Sequence, residues 1–375
     1  MGNTLKKNEK KNKKKEKDKE KPKNKNKNIK TTEELIKNNP GVLVIDDYIS
    51  QDNIDLELLK KQNHSKEKDP IEEIIIHPKF ENSIIIGSRS GKIKLYKNIN
   101  ERNISNEIIL YDVNEKIFSM IVLKKNNNNI AIGLLNKILI LIFNSKNLLE
   151  KELELIGFQS QLKEVNLLEL SNSNIISAGD PFIYWEQNNN KYKQSGNIIP
   201  NDKKCRFINM VEFEEYNTIL ATQEKTHEIY LIKYDKEKIE LIKKIEKCSS
   251  ISYKGSAQKL SDNFMLLVGK FDLNVLDASN GEVTNRYIGI DKGSLLNLTE
   301  NNNEDDIWIV SDFYGKFFEF YNQEGNDLIF LDKIELDEED EIKWNNRLVR
   351  INNQCFVVVN YLGEIFVFNV KLKNI

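Results

Sequence analysis

The chain has little of what most often carries chemistry. Its 375 residues include three cysteines and three histidines. Cys205, Cys248 and Cys355 stand too far apart for a disulfide framework or a CxxC-type metal knuckle. His64, His77 and His227 have no second His or Cys at metal-ligand spacing, which predicts structural or solvated histidines. No apolar run is long enough to span a membrane as a helix, since the most apolar stretch, Ile130 to Phe143, is broken by Asn136 and Lys137. The N-terminus lacks the apolar core of a signal peptide. These absences predict a soluble protein of a reducing compartment, cytoplasmic or nuclear and not secreted, in which the sequons at Asn103 and Asn297 are coincidental.

Charge is unevenly placed. Residues 6 to 30 hold fourteen lysines against three glutamates and one aspartate, a local +10. The whole chain carries −2, so the remainder carries −12. Residues 1 to 30 contain no aromatic side chain and only Leu5 and Ile29 as large aliphatic ones. Such a segment buries too little to offset chain entropy, and a disordered Lys/Asn-rich tail is expected there. Residues 31 to 70 read as a connector. Thr31 and Glu34 have capping-box spacing for a short helix ended by Pro40, and Gln51 to Gln62 suggests a second short helix. Between them, Gly41 to Asp47 (GVLVIDD) reads as a buried strand.

From Ile71 to the end the chain repeats itself. A polar turn followed by a strand rich in aromatic and β-branched residues recurs as IGSRSGKIKLY from Ile86, IGLLNKILILI from Ile132 and ISAGDPFIYW from Ile176. It continues as LATQEKTHEIYLI from Leu220, VGKFDLNVLD from Val268, VSDFYGKFFEF from Val310 and VNYLGEIFVF from Val359. Successive starts are 46, 44, 44, 48, 42 and 49 residues apart. Seven all-strand units at a period in the forties predict an all-β fold, a seven-bladed β-propeller over residues 71 to 375. Three units share Gly-[Lys/Glu]-[Ile/Phe]-x-x-aromatic, beginning at Gly91, Gly315 and Gly363 and ending at Tyr96, Phe320 and Phe368. Glycine there suits a tight turn with positive φ, and the aromatic supplies area for packing between blades. A fourth strand follows in several units, such as EIILYD from Glu107 and LIFLDKIE from Leu328.

These units resemble WD40 repeats. The first, IIIHP followed by IIIGSRSGKIKLY, looks like a WD40 repeat over its central strands, and the third resembles the family at Asp180 in the turn and Trp185 ending the strand. No Gly-His and no Trp-Asp pair occurs, so the family's hydrogen-bonded His–Asp–Ser–Trp network is not expected. The last unit ends at IFVFNV, Ile365 to Val370, and so lacks an outer strand. An open sheet edge invites aggregation, and the apolar run Val42 to Asp46 is expected to pair there and close the ring.

Candidate sites are few. Gly87 to Ile93 (GSRSGKI) resembles a phosphate loop but lies between two strands, where no helix N-terminus is available to a phosphate. Asp337 to Glu341 (DEEDE) lacks EF-hand spacing and reads as an exposed acidic loop. Asn126 to Asn129 and Asn301 to Asn303 read as expanded surface loops. Nucleophile signatures such as G-x-S-x-G are missing. No catalytic, cofactor-binding or metal residue is therefore assigned, and no cofactor or small-molecule substrate is expected. Met1-Gly2-Asn3 is a poor myristoylation start because Lys6 stands where Ser or Thr belongs. The lysines of the tail are expected to attract polyanions, RNA or anionic lipid, weakly and by charge. The WD40 resemblance implies a non-catalytic scaffold that binds other proteins. The alternatives are an adaptor recruited to nucleic acid or membrane by its tail and, more remotely, an enzyme using the propeller channel.

Overall fold

The computed structural model of the chain describes residues 42–44 and 53–373, apart from short stretches within the connections. Among the described residues the chain forms strands and one 3-10 turn, Glu214–Tyr216. The strands make seven sheets, antiparallel except for one added edge strand, whose innermost strands contact one another in a closed cycle. Blade 1 is Ile71–Ile75, Ile84–Ser88, Lys92–Tyr96 and Glu107–Asp112, and the same four-strand meander recurs through blade 6. This is the seven-bladed propeller that the period predicts.

The packing follows from strand alternation. In blade 7, Phe356 and Val358 face blade 6, while Cys355, Val357 and Val359 face blade 1. All of Cys355–Asn360 is buried, so the strand reads as a continuous apolar run. Each of seven hydrophobic clusters lies at one blade-to-blade interface. Tyr96, Phe320 and Phe368 enter these clusters, as expected of aromatics ending a third strand. Gly91, Gly315 and Gly363 adopt φ of 95°, 69° and 81°. Gly315 has a second constraint, because a Cβ there would lie 2.0 Å from the carbonyl oxygen of Ile342 in the segment entering blade 7.

Ring closure differs from the expectation. Val42–Val44, which we label β1, pairs in parallel with Arg286–Ile288 on the outer edge of blade 5. The outer strand of blade 7 is Ile54–Asn63, labelled β2, running antiparallel to Glu364–Leu372. The segment expected to be a short helix is thus the closing strand, and the run Val42 to Asp46 is not. A β-bulge explains the misreading. Leu58 opposes Phe368 and Lys60 opposes Val367, leaving Leu59 as the extra residue. Leu56 and Leu58 pack towards blade 6, while Leu59 packs towards blade 1. The change of face in mid-strand turns a period of two into the helix-like string LELLKK. The start of β2 is anchored by blade 6, where the Asp332 carboxylate accepts from the backbone N–H groups of Asn53 (3.1 Å) and Ile54 (3.3 Å).

Bulges recur. In all seven blades the ladder between third and fourth strand carries one extra residue, Leu110, Glu150, Ser195, Ile242, Thr284, Leu331 and Leu59 in ring order from blade 1. A bulge twists the edge strand out of line and discourages pairing with another molecule.

If β2 closes the ring, removing residues 1–47 should leave cooperative unfolding and a melting temperature within a few degrees of the full chain. Removing residues 1–64 should open blade 7 and cause aggregation or a broad transition. Equal melting of the two truncations would contradict this assignment.

Candidate functional site

The propeller axis holds a cavity of about 490 Å3, lined from the inner strands of all seven blades. Polar groups from several blades converge on it, as they would at a binding site. The inner strands share a pattern that the repeat alignment overlooked. Each carries a polar residue within its first three positions or, in blade 5, just before its start, followed in six blades by two apolar ones: Glu73, Ser119, Asn166, Asn209, Ser294 and Arg347, with Ser256 in blade 5. The signal was legible as a polar position recurring near the head of each unit. It was hidden because the residue type changes from blade to blade.

Most of these side chains reach a neighbouring blade. Ser119 Oγ donates to Val165 O at 2.6 Å, and Asn166 Nδ2 donates to Phe207 O at 2.6 Å. Asn209 Nδ2 donates to Ser256 Oγ at 3.0 Å and its Oδ1 accepts from Gly255 N–H at 2.9 Å. Gln258 Nε2 bridges blade 5 to Leu295 O of blade 6 at 2.7 Å. Lys116, entering blade 2, lies 3.5 Å from Glu72 of blade 1. Two arginines hold blade 7 on both sides. Arg350 donates to Thr299 O of blade 6 at 2.8 Å, and Arg347 pairs with Glu73 of blade 1. Burial lowers the Arg347 guanidinium to about 10, so it remains charged at neutral pH. Glu73 is 2% exposed and also accepts from Ile74 N–H. These polar groups of the channel hold neighbouring blades together, while Asn297 bonds Asp306 within blade 6.

The sequence candidates are scattered. Gly87 to Ile93 is a strand–turn–strand hairpin, and its turn N–H groups are directed at protein: Arg89 N–H to Pro70 O, Ser90 N–H to the Asp69 carboxylate and Gly91 N–H to Ser88 O. His77 Nδ1 accepts from Lys79 N–H at 3.2 Å, and its ring packs on Phe80 and Phe143. His227 is exposed in a turn of blade 4 at φ 59°. Cys355 is buried in blade 7, and desolvation pushes its thiol up to about 11. Among the described residues no three His, Cys, Asp or Glu side chains form a metal-ligand group. Cys205, Cys248, Asp180, residues 338–341 of the acidic run, Met1-Gly2-Asn3 and both asparagine runs apart from Asn129 lie outside the described residues. Asn129 itself begins a strand and is 2% exposed, so it belongs to the blade and not to a loop.

His64 has the fullest role of the three histidines. It follows β2 at the seam and is 1% exposed. Its N–H donates to Gly363 O of blade 7 at 2.6 Å. Its carbonyl accepts from Lys94 Nζ and Tyr96 Oη of blade 1, both at 3.0 Å, and its Nδ1 lies 2.9 Å from Tyr96 Oη. Desolvation is the main cause that lowers its pKa from 6.5 to about 4.

In blade 3, Trp185 Nε1–H donates to Ser177 Oγ at 2.8 Å, with both side chains buried. Of the network that was not expected here, this one Trp–Ser bond is present. Its Asp180 counterpart falls outside the described residues.

No family model and no curated protein matches the sequence. Among solved structures, the chain is similar to the WD40 β-propeller domain of Doa1, with a TM-score of 0.60 at 13% identity, over 84% of this chain and 97% of that one. In fold, the chain is a seven-bladed β-propeller like that WD40 domain. At that identity the likeness concerns architecture alone.

Two outcomes are expected. Arg347→Ala leaves a buried carboxylate uncompensated and should cost about 3 kcal/mol in urea unfolding, while Glu73→Leu with Arg347→Leu should recover most of it. A double variant no more stable than the single one would show that the loss does not come from the uncompensated Glu73 carboxylate. For His64 the folded pKa lies below the unfolded value, so its contribution is complete above pH ~6.5 and is lost as pH falls towards ~4. Unfolding measured between those limits should be less pH-dependent in His64→Gln than in wild type, by up to about 3 kcal/mol.

Proposed function

We propose that the chain is a non-catalytic scaffold that offers the loops of its propeller faces to other proteins in a multiprotein complex. WD40 propellers are typically protein-interaction scaffolds and are generally non-catalytic. The observation that carries the reading here is the use of the channel's polar side chains. Ser119, Asn166, Asn209, Gln258 and Arg350 are committed to bonds between blades, which favours recognition by the loops.

Two exposed apolar side chains stand on the turns of one face: Leu135, 37% exposed in blade 2, and Tyr314, 50% exposed in blade 6. Exposed aromatic and aliphatic anchors of this kind commonly carry interface energy. Affinity purification of the tagged full chain with mass spectrometry tests the proposal. Leu135→Ser with Tyr314→Ser should lower recovery of a specific partner several-fold at unchanged melting temperature. Recovery of no protein, with turnover or stoichiometric retention of a small molecule in the channel, would overturn it.

The +10 segment favours a second reading, an adaptor drawn to RNA or anionic lipid by its tail. That attraction should be evident at ~50 mM salt, largely gone by ~200 mM and indifferent to scrambling residues 6–30.

A further inference from the structure

The axial channel has two ends of different chemistry. Its inner strands are brought together start to start, as the bonds from Ser119 to Val165 and from Asn209 to Gly255 show. At the starting end Glu73 and Arg347 neutralise one another. Arg350 stands three residues further along the blade 7 strand, about 10 Å away by strand rise. Lys124, directly after the inner strand of blade 2, lines the channel towards that same far end. Leu348 and Val349 separate the two arginines, and Ile74, Ile121, Leu167 and Met210 continue this aliphatic wall through blades 1 to 4.

The charge of the lining is the reverse of the body's. Outside residues 6 to 30 the chain carries −12, yet the described lining holds three cations, Lys124, Arg347 and Arg350, against the single carboxylate of Glu73. Acids near the far end serve other groups. Glu169 accepts from the backbone N–H groups of Lys124 and Lys125, and Asp306 accepts from Asn297. The carbonyls of Thr299 and Leu298 orient the Arg350 guanidinium without adding negative charge. Burial lowers the Arg350 pKa, the mark of a cation drawn out of bulk water, where its attraction for an anion is stronger.

The described lining also contains no Phe, Tyr or Trp. A nucleobase would find no aromatic face to stack on, whereas a hydrocarbon chain would meet branched aliphatic side chains. The cavity of about 490 Å3 lies within the range of small-molecule sites.

We propose that the channel binds a small aliphatic carboxylate, with its head against Arg350 and Lys124 and its chain along the wall between Arg350 and Arg347. This goes beyond the scaffold reading and is compatible with it, since a bound acid occupies the axis and leaves the face loops to proteins.

Octanoate is the probe, titrated calorimetrically into the full chain. It should bind saturably at a single site per chain. Octanol, which lacks the charge, and inorganic phosphate, which lacks the chain, should each bind about tenfold more weakly or worse. Lys124→Gln and Arg350→Gln should each weaken octanoate about tenfold, the loss expected for a hydrogen bond to a charged group. Arg350→Gln also cuts a tie to blade 6 and should lower the melting temperature. Lys124 is exposed, so Lys124→Gln should leave melting unchanged and reports on binding alone. Leu135→Ser with Tyr314→Ser should not alter octanoate affinity, which separates the channel from the loops. Absence of saturable binding would overturn the proposal and leave the scaffold standing, just as failure to recover a protein partner would leave octanoate binding untouched. Unaltered affinity in both charge variants would also overturn it, as would octanol equal to octanoate or adenosine monophosphate binding more tightly than octanoate.

Discussion

The ladder between Ile54–Asn63 and Glu364–Leu372 is the interaction on which the ring depends. Each blade buries both faces of its central strands, so a blade has no free-standing core and is stable only between two neighbours. Six interfaces follow from chain order. The seventh must be made by residues from opposite ends of the sequence, and its loop-closure cost is offset by the burial it completes. Fastenings accordingly gather there. Arg347 and Glu73 join the inner strands, Tyr96 and Lys94 hold His64, and Asp332 receives the incoming chain at the preceding blade.

Polar groups serve assembly at the axis and protection at the rim. Inside, Ser119 and Asn166 donate to carbonyls of the adjacent blade, and Asn209 bonds Ser256 and Gly255 of the next. At the seam, a charged pair replaces them. Outside, a bulge in every outermost ladder distorts a row of edges that would otherwise pair with other molecules. The edge of blade 5 is covered in addition by β1.

Much of the fold was legible because its signals are local and repeated. Gly91, Gly315 and Gly363 mark turns needing positive φ, and Tyr96, Phe320 and Phe368 mark the strands that follow. The need for an added strand at the end of the chain was legible too, since the last unit stops one strand short. Which segment supplies it was not. Val42–Val44 has the composition of a strand and is one, but composition cannot name a partner sheet. Ile54–Asn63 was obscured by its bulge, because an inserted residue moves the apolar side chains to the other face and erases alternation. The polar positions lining the channel were missed for a related reason, as Glu, Ser, Asn and Arg perform one geometric task without sharing a residue type.

Period, strand pattern and turn glycines were enough to determine a ring of seven four-stranded blades, because each is set by neighbours within about ten residues of chain. Tertiary structure alone decided how the ring is fastened. His64 meets Tyr96, Arg347 meets Glu73 and Val42 meets Arg286 across 32, 274 and 244 residues of sequence. A contact over such separations leaves no periodic trace. It exists because closing the ring brings those backbones together, and a partner's identity is settled by which side chain then lies opposite.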